Sequence, residues 1–191
     1  MIKITKVYTK QGDDGHTGLP KQRYPKHHPR IVAIGSVDEL NASLGWSRQA
    51  LQAEPFKHMD KFCHDLQQQL FNLGAMLSVD PADRNPQMPI IQAEHTLALE
   101  HDMDQMNQTL PTLNSFVLPG GGEAASRLHC TRTVCRRTER DISALHAQTP
   151  QESQITSFIN RLSDWFFIAS RYAASQDQQP EVLWQQHQIP R

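Results

Sequence analysis

Ile155, Phe158, Ile159, Leu162, Phe166, Ala169 and Ala173 recur at spacings of three and four, and Trp165, Ile168 and Tyr172 widen the stripe they form. A helix this apolar is stable only when other helices cover it on most sides. The rest of the chain must therefore supply that cover. Phe62, Leu66, Leu70, Leu73 and Leu77 mark a helix over about 59–79, ended by Asp80-Pro81. A weaker one runs near 92–107, through Leu97, Leu99, Met103 and Met106, and Leu110-Pro111 closes it. Another spans about 123–147, with a core stripe of Leu128, Thr131, Cys135, Thr138, Ile142 and Leu145.

Two helix starts are expected at capping boxes. Ser36-Val-Asp-Glu39 opens the first helix, which buries Val37, Leu40, Leu44 and then Leu51. Thr149-Pro-Gln-Glu152 opens the last, with Pro150 at the favoured first position and an end near 175. Residues 1–35 lack helical periodicity and read as an irregular arm; residues 176–191 are a tail. With no repeat and no linker, residues 1–191 form one domain. The expectation is an all-α bundle of about five helices, 36–175, behind an irregular N-terminal arm.

Net charge is −1, which argues against a broad nucleic-acid or anionic-membrane surface. Cys63, Cys130 and Cys135 form no CxxC pair and no even framework, so reduced thiols in an intracellular, cytoplasmic protein are expected. Polar residues interrupt the N-terminal stretch at once, and no apolar run approaches the roughly 20 residues of a membrane span.

Polar residues in unusual places carry the functional signal. On the fourth helix Arg132, Arg136 and Arg140 stack at successive i+4 steps, with His129 and Glu139 among them; Arg137 points elsewhere, within reach of Asp141. Like charges at that spacing repel by a few tenths of a kcal/mol per pair. A bound anion would complete such a face, and arginine suits phosphate because its planar fork donates two bonds at once. A surface or subunit salt-bridge network accounts for the spacing equally well. The last helix leaves a strip of Asn160, Asp164, Phe167 and Arg171, whose polar members must be paired or face a site. Asp164 with Arg171 is the simple internal pair; Asn160 has no obvious local partner.

Thr9-Lys-Gln-Gly-Asp-Asp-Gly-His-Thr-Gly18 has three glycines at a spacing of three, suited to close approach of backbone N–H groups to phosphate. Asp13 and Asp14 oppose that use unless they orient the loop or nearby cations. The loop lacks GK[ST] and is no P-loop, and it lacks the oxygen-ligand pattern of an EF-hand. No Glu-x-x-His pair supports a di-iron centre, the ten histidines show no zinc spacing, and no catalytic triad is recognisable. His27-His28 reads as an exposed turn.

Five segments occur in the order of one family. They are Val7-Tyr-Thr-Lys-Gln-Gly-Asp-Asp-Gly15, Pro29-Arg-Ile with Gly35-Ser-Val-Asp-Glu-Leu-Asn41, Phe116-Val-Leu-Pro-Gly-Gly121, Arg132-Thr-Val-Cys-Arg-Arg-Thr-Glu-Arg140, and Phe158-Ile-Asn-Arg-Leu-Ser-Asp164. Together, from residue 4 to about 184, they resemble the PduO-type ATP:cob(I)alamin adenosyltransferases. The resemblance implies a ferritin-like five-helix bundle assembled as a homotrimer, with sites between subunits. It implies transfer of the adenosyl group of ATP to cobalt with release of triphosphate, in the presence of Mg²⁺ and an electron-donating reductase.

By position, the resemblance makes Thr9, Lys10, Gln11 and Gly12 and the Thr17-Gly18 turn a wrap for the ATP phosphates, with Lys26 as an added cation. Gln11 departs from the commoner Thr or Asn. Arg136, Arg137, Glu139 and Arg140 fall in the nucleotide-binding stretch, and Asn160 matches an ATP-contacting residue. Arg132 matches a catalytically important arginine, and Asp38 its salt-bridge partner on a neighbouring subunit. Phe116 matches the residue that displaces the lower cobalt ligand; without the resemblance it reads as a core anchor of its loop. Two further readings stand beside the transferase: a non-catalytic module that binds nucleotide or corrinoid, and a helical scaffold whose arginine face binds an acidic protein.

Overall fold

The computed structural model describes residue 8 and residues 10–186. Five helices make the body: α1 (Pro29–Arg48), α2 (Lys57–Leu77), α3 (Ala93–Asn107), α4 (Gly122–Gln148) and α5 (Ser153–Gln176). Before them, β1 (His16–Gly18) and β2 (Arg23–Pro25) form a small antiparallel hairpin with Thr17 opposite Tyr24. Helix α1 packs between α2 and α4, and α5 between α4 and α3. Phe62 of α2 stacks on Trp165 of α5 with ring centroids 5.3 Å apart, closing the bundle.

The core is the one that periodicity demands. Phe158, Leu162, Trp165, Phe166, Ala169 and Ala173 of α5 are fully buried, as are Leu66, Leu70, Leu73 and Leu77 of α2 or nearly so. The whole α4 stripe, Leu128 to Leu145, is buried with its two threonines. Those threonines build a hydroxyl seam between α1 and α4. Thr131 Oγ1 lies 2.8 Å from both Ser43 Oγ and Ser47 Oγ, and Thr138 Oγ1 donates to the Ser36 carbonyl at 2.9 Å. Small hydroxyl side chains let the two backbones approach closely while each buried oxygen keeps a partner.

Both expected capping boxes are mid-structure features instead. Helix α1 starts two turns earlier, at Pro29: His28 is its N-cap, and His28 Nδ1 accepts from the Arg30 amide at 3.2 Å. Proline at the first position supports this start. Ser36 is buried inside the helix, and its hydroxyl donates to Asp141 Oδ2 at 2.5 Å rather than to its own backbone. The irregular arm therefore ends at residue 28, and Asp38 sits mid-helix, not in a first turn. Helix α5 starts at Ser153, not at Thr149. Thr149 is the C-cap of α4, donating its amide to Leu145 at 2.8 Å, and Pro150 lies between the helices. Glu152 is the N-cap of α5 and is held by Arg84.

Arg30 ties the N-terminus of α1 to the end of α2. It is buried, donates to the Leu77 carbonyl at 2.7 Å and pairs with Asp80. It therefore satisfies one of the carbonyls that every helix leaves open at its C-terminus. This fastening also fixes where the hairpin, immediately before α1, can reach.

Thr131→Val keeps the shape of the α1–α4 seam but strands two serine hydroxyls. The variant is expected to lose about 1–3 kcal/mol of unfolding free energy in urea titrations, with an unchanged helical circular dichroism spectrum.

Candidate functional site

The site is built from three pieces: the hairpin loop, the arginine face of α4, and a cleft between the connector 111–121 and the C-terminal tail. The loop is organised by its own acids. Arg23 Nη2 donates to the Gln11 carbonyl at 2.6 Å and to both Asp14 oxygens at 2.9 and 3.1 Å. The His16 amide donates to Asp14 Oδ1 at 3.1 Å. These bonds hold the Asp14 carboxyl below the usual carboxylate range, the His16 amide contributing most and Arg23 next. Asp14 thus orients the loop by neutralising Arg23, and it is spent on that task. Arg23 is a member of this site that its spacing in the sequence did not reveal.

Lys26 closes the loop from the other side. Its amide donates to the Gly15 carbonyl at 2.9 Å. A Cβ at Gly12 would come within 3.3 Å of Lys26 Nζ, so the ammonium rests against the bare Gly12 Cα. Gly15 has φ +79° and makes the turn that a side chain would strain. Lys10, Gln11 and Gly18 are exposed around this centre, while Thr17 is half-buried in β1. Thr9 lies outside the described residues.

On α4, Arg136, Arg137 and Arg140 are exposed. Arg140 Nη1 donates to the Arg136 carbonyl at 3.0 Å. Arg137 pairs with Glu39 of α1, not with Asp141, because Ser36 already occupies that carboxylate. Asn160 does find a partner, across the helix pair: its Nδ2 donates to Glu139 Oε1 at 2.8 Å. The anticipated Asp164–Arg171 pair is replaced by two others. Asp164 accepts from Arg161 at 2.9 Å, and Arg171 pairs with Glu181 of the tail at 2.6 Å. Among the described residues no hydrogen bond or ion pair joins the hairpin loop to Arg136, Arg137 or Arg140. Asp38 is exposed on α1 and makes no ion pair among the described residues.

Arg132 differs from the other arginines. It is half-buried, its Nε is buried without a hydrogen-bond partner among the described residues, and its guanidinium carbon stands 6.0 Å from the Phe167 ring centre. Burial, and then the nearby Arg136 charge, push its pKa down. It forms the floor of a cleft of about 670 Å³ with Phe167, and Leu113, Phe116, Val117 and Trp184 make the walls. Phe116 is 79% exposed here, so it is no core anchor of its loop; its ring meets Trp184 at 6.3 Å. Phe167 was visible in the sequence as a misfit on a polar strip. Trp184 gave no signal, because its partner strand is a loop with no strand pattern.

Behind Arg132, His129 is buried and its Nδ1 lies 3.4 Å from Ser170 Oγ. Burial, reinforced by the Arg132 charge, pushes its pKa down to about 4. The imidazole is therefore neutral near pH 7 and adds no charge to the cleft.

The residues 7–173 match the model of the cobalamin adenosyltransferase family. The chain is 39% identical over 190 residues to a corrinoid adenosyltransferase of Mycobacterium leprae, covering 96% of this chain and 97% of that one. It is 32% identical to the mouse corrinoid adenosyltransferase MMAB, covering 98% of this chain and 80% of that one. It also superimposes on a variant PduO-type ATP:corrinoid adenosyltransferase from Lactobacillus reuteri, solved in complex with cobalamin and ATP. That likeness has a TM-score of 0.88 and 38% identity, over 94% of this chain and 99% of the other. The chain belongs to the cobalamin adenosyltransferase family.

Because the folded state resists protonating His129, stability is expected to fall as pH drops from the ordinary histidine value of 6.5 toward about 4. Urea midpoints measured across that window should decline for the wild type and decline less for His129→Gln.

Proposed function

We propose that the chain carries out the reaction of its family, transfer of the 5′-deoxyadenosyl group of ATP to the cobalt of cob(I)alamin, and that cob(II)alamin is reduced in the cleft beforehand. The observation that carries this reading is the cleft itself. An exposed aromatic ring, Phe116, faces a half-buried arginine whose Nε has no protein partner. Structural folding alone gives no reason for either arrangement.

Removing the lower ligand from cob(II)alamin takes away the lone pair that raises the half-filled axial cobalt orbital, and the lowered orbital accepts a second electron more readily. An apolar wedge achieves this without a proton, and Phe116 is placed to be that wedge. One electron from an external reductase then gives cob(I)alamin. Its cobalt electron pair forms the bond to the ribose 5′ carbon while the carbon–oxygen bond breaks, and that bonding pair departs on triphosphate. Such a displacement needs no base from the protein. It needs alignment, and cations where the leaving group gains charge. Arg136, Arg140 and Lys26 supply cations for the phosphates, Gly12 and its neighbours supply backbone N–H groups, and Arg132 lies between the nucleotide face and the cleft.

Mg²⁺ belongs to this proposal. Among the described residues no cluster of three or more acidic, histidine or cysteine side chains could hold a metal. Mg²⁺ keeps several waters and binds chiefly through substrate phosphates. Glu139 and the carboxamide oxygen of Asn160 would be its protein-side donors, and it would offset triphosphate charge. A homotrimer is also proposed. Among the described residues no hydrogen bond or ion pair joins the loop to the arginine face, and Asp38, which makes no ion pair there, would take an arginine from a neighbouring copy. No described helix is long and apolar enough to cross a membrane, and a cytoplasmic location is proposed from the free thiols at Cys63, Cys130 and Cys135.

The test is formation of adenosylcobalamin from Mg-ATP and cobalamin, with size-exclusion and light scattering for the trimer. Arg132→Ala is expected to lower turnover by roughly 10²–10³-fold, the usual loss for one preorganised charge-stabilising donor. Phe116→Ala should lose turnover from cob(II)alamin and the spectrum of four-coordinate cob(II)alamin, yet retain turnover on chemically pre-reduced cob(I)alamin. Binding of Mg-ATP and cobalamin without product would leave the non-catalytic module standing instead. No heat with Mg-ATP would favour the scaffold.

A further inference from the structure

Phe116 and Trp184 face each other at the cleft, yet neither belongs to a helix. Phe116 sits on the connector between α3 and α4, and Trp184 on the tail beyond α5. The two segments pair as a short antiparallel ladder. The Leu118 amide donates to the Val182 carbonyl at 2.8 Å, and the Trp184 amide donates to the Phe116 carbonyl at 2.7 Å. Ser115 Oγ adds a bond to the Trp184 carbonyl at 3.0 Å.

A ladder this short does not hold itself, since an isolated two-stranded pairing is marginal in water. Nor is it packed onto the bundle by apolar contact along its length. A cavity of about 250 Å³ lies beneath it, lined by Val117–Gly121, His129, Ser170, Arg171, Glu181 and Val182. At one end the connector is fixed at Gly121, where a Cβ would come within 2.6 Å of the Ala174 Cβ. The other anchorage is Arg171. Its side chain is 3% exposed, it donates through Nε and Nη2 to the two Glu181 oxygens at 2.6 and 3.1 Å, and Nη2 donates to the Pro111 carbonyl at 2.8 Å. One buried guanidinium on the rigid helix α5 therefore grips the chain just outside the ladder on both sides, the connector at Pro111 ahead of Phe116 and the tail at Glu181 next to Val182.

We infer that Arg171 is a positioning residue for the corrinoid cleft. By gripping the connector and the tail together, it sets the separation of Phe116 and Trp184 above Arg132 and Phe167. This rests on the cleft being the corrinoid site. Arg171 need not touch either substrate; it acts through the two aromatic residues.

Glu181 is the place to test it, because it lies on the tail beyond α5 and its substitution changes no helix residue. In Glu181→Ala, hydrogen exchange at the Leu118 and Trp184 amides should accelerate roughly tenfold to a hundredfold, the range set by losing one charge-assisted pair. Amides within α4 and α5 should accelerate by less than those two. The KM for cobalamin should rise about tenfold while the KM for ATP stays at the wild-type value. Glu181→Gln, which retains an acceptor, should restore part of both effects. Arg171→Lys, which cannot span both partners in a fork, should behave like Glu181→Ala. Wild-type protection of those two amides in Glu181→Ala would overturn the inference, as would equal changes in both KM values. Deprotected amides with an unchanged cobalamin KM would also overturn it. A wild-type chain that makes no adenosylcobalamin would sink the functional reading, whereas the exchange data would still decide whether Arg171 holds the ladder.

Discussion

Helix α5 is enclosed on nearly every side, and that enclosure governs the polar chemistry of the molecule. Trp165, Phe158 and Phe166 are among the largest fully buried side chains, and Ser163, Ser170 and Arg171 are buried with them. A buried polar group without a partner costs on the order of 1–3 kcal/mol. Buried Ser170 is committed to the Phe167 carbonyl and His129, and buried Arg171 to Glu181 and Pro111, while the exposed Asn160 reaches Glu139. These commitments reach in three directions, to α4, to the connector and to the tail. They hold the connector and the tail beside α4.

Charge is distributed by the same economy. Of the two loop acids that oppose phosphate, Asp14 is taken up by Arg23 and the His16 amide; on the bundle, Glu39 pairs with Arg137 and Asp141 accepts from Ser36. Counting only described residues, the cations without a carboxylate partner are Lys10, Lys26, Lys61, Arg132, Arg136 and Arg140. In a chain with a net charge of −1, the three arginines thus leave one stretch of α4 locally positive. Overall charge carried no information about it, since pairing rather than composition decides which charges remain available.

Periodicity made the bundle readable, because burial of a helical stripe depends on spacing and little else. All five helices were expected within a few residues at most ends, and the core stripes of α4 and α5 hold residue by residue. The two starts that failed have different causes. Ser-x-x-Glu and Thr-x-x-Glu match a capping pattern, but Ser36 is spent on the tertiary contact with Asp141, whereas Thr149 is held locally as the C-cap of α4. The arginine stack and the glycine loop stood out because their residue types are costly to place without a use, whereas Phe116 entered only through the resemblance and by itself reads as a core anchor. The Arg171–Glu181 pair and the Phe116–Trp184 facing were not legible. They depend on a tail folding back to a connector about 65 positions away in the chain, and no local pattern encodes such a return.

The neutral, buried His129 has a consequence for how this cleft meets changing surroundings. It is the titratable group nearest Arg132 that could have switched charge around neutrality, and its position in the core removes it from that range. What remains at the cleft floor is a guanidinium, which keeps its proton at any pH a cell reaches. The positive charge at this floor is therefore fixed, and no change at His129 modulates it around neutrality.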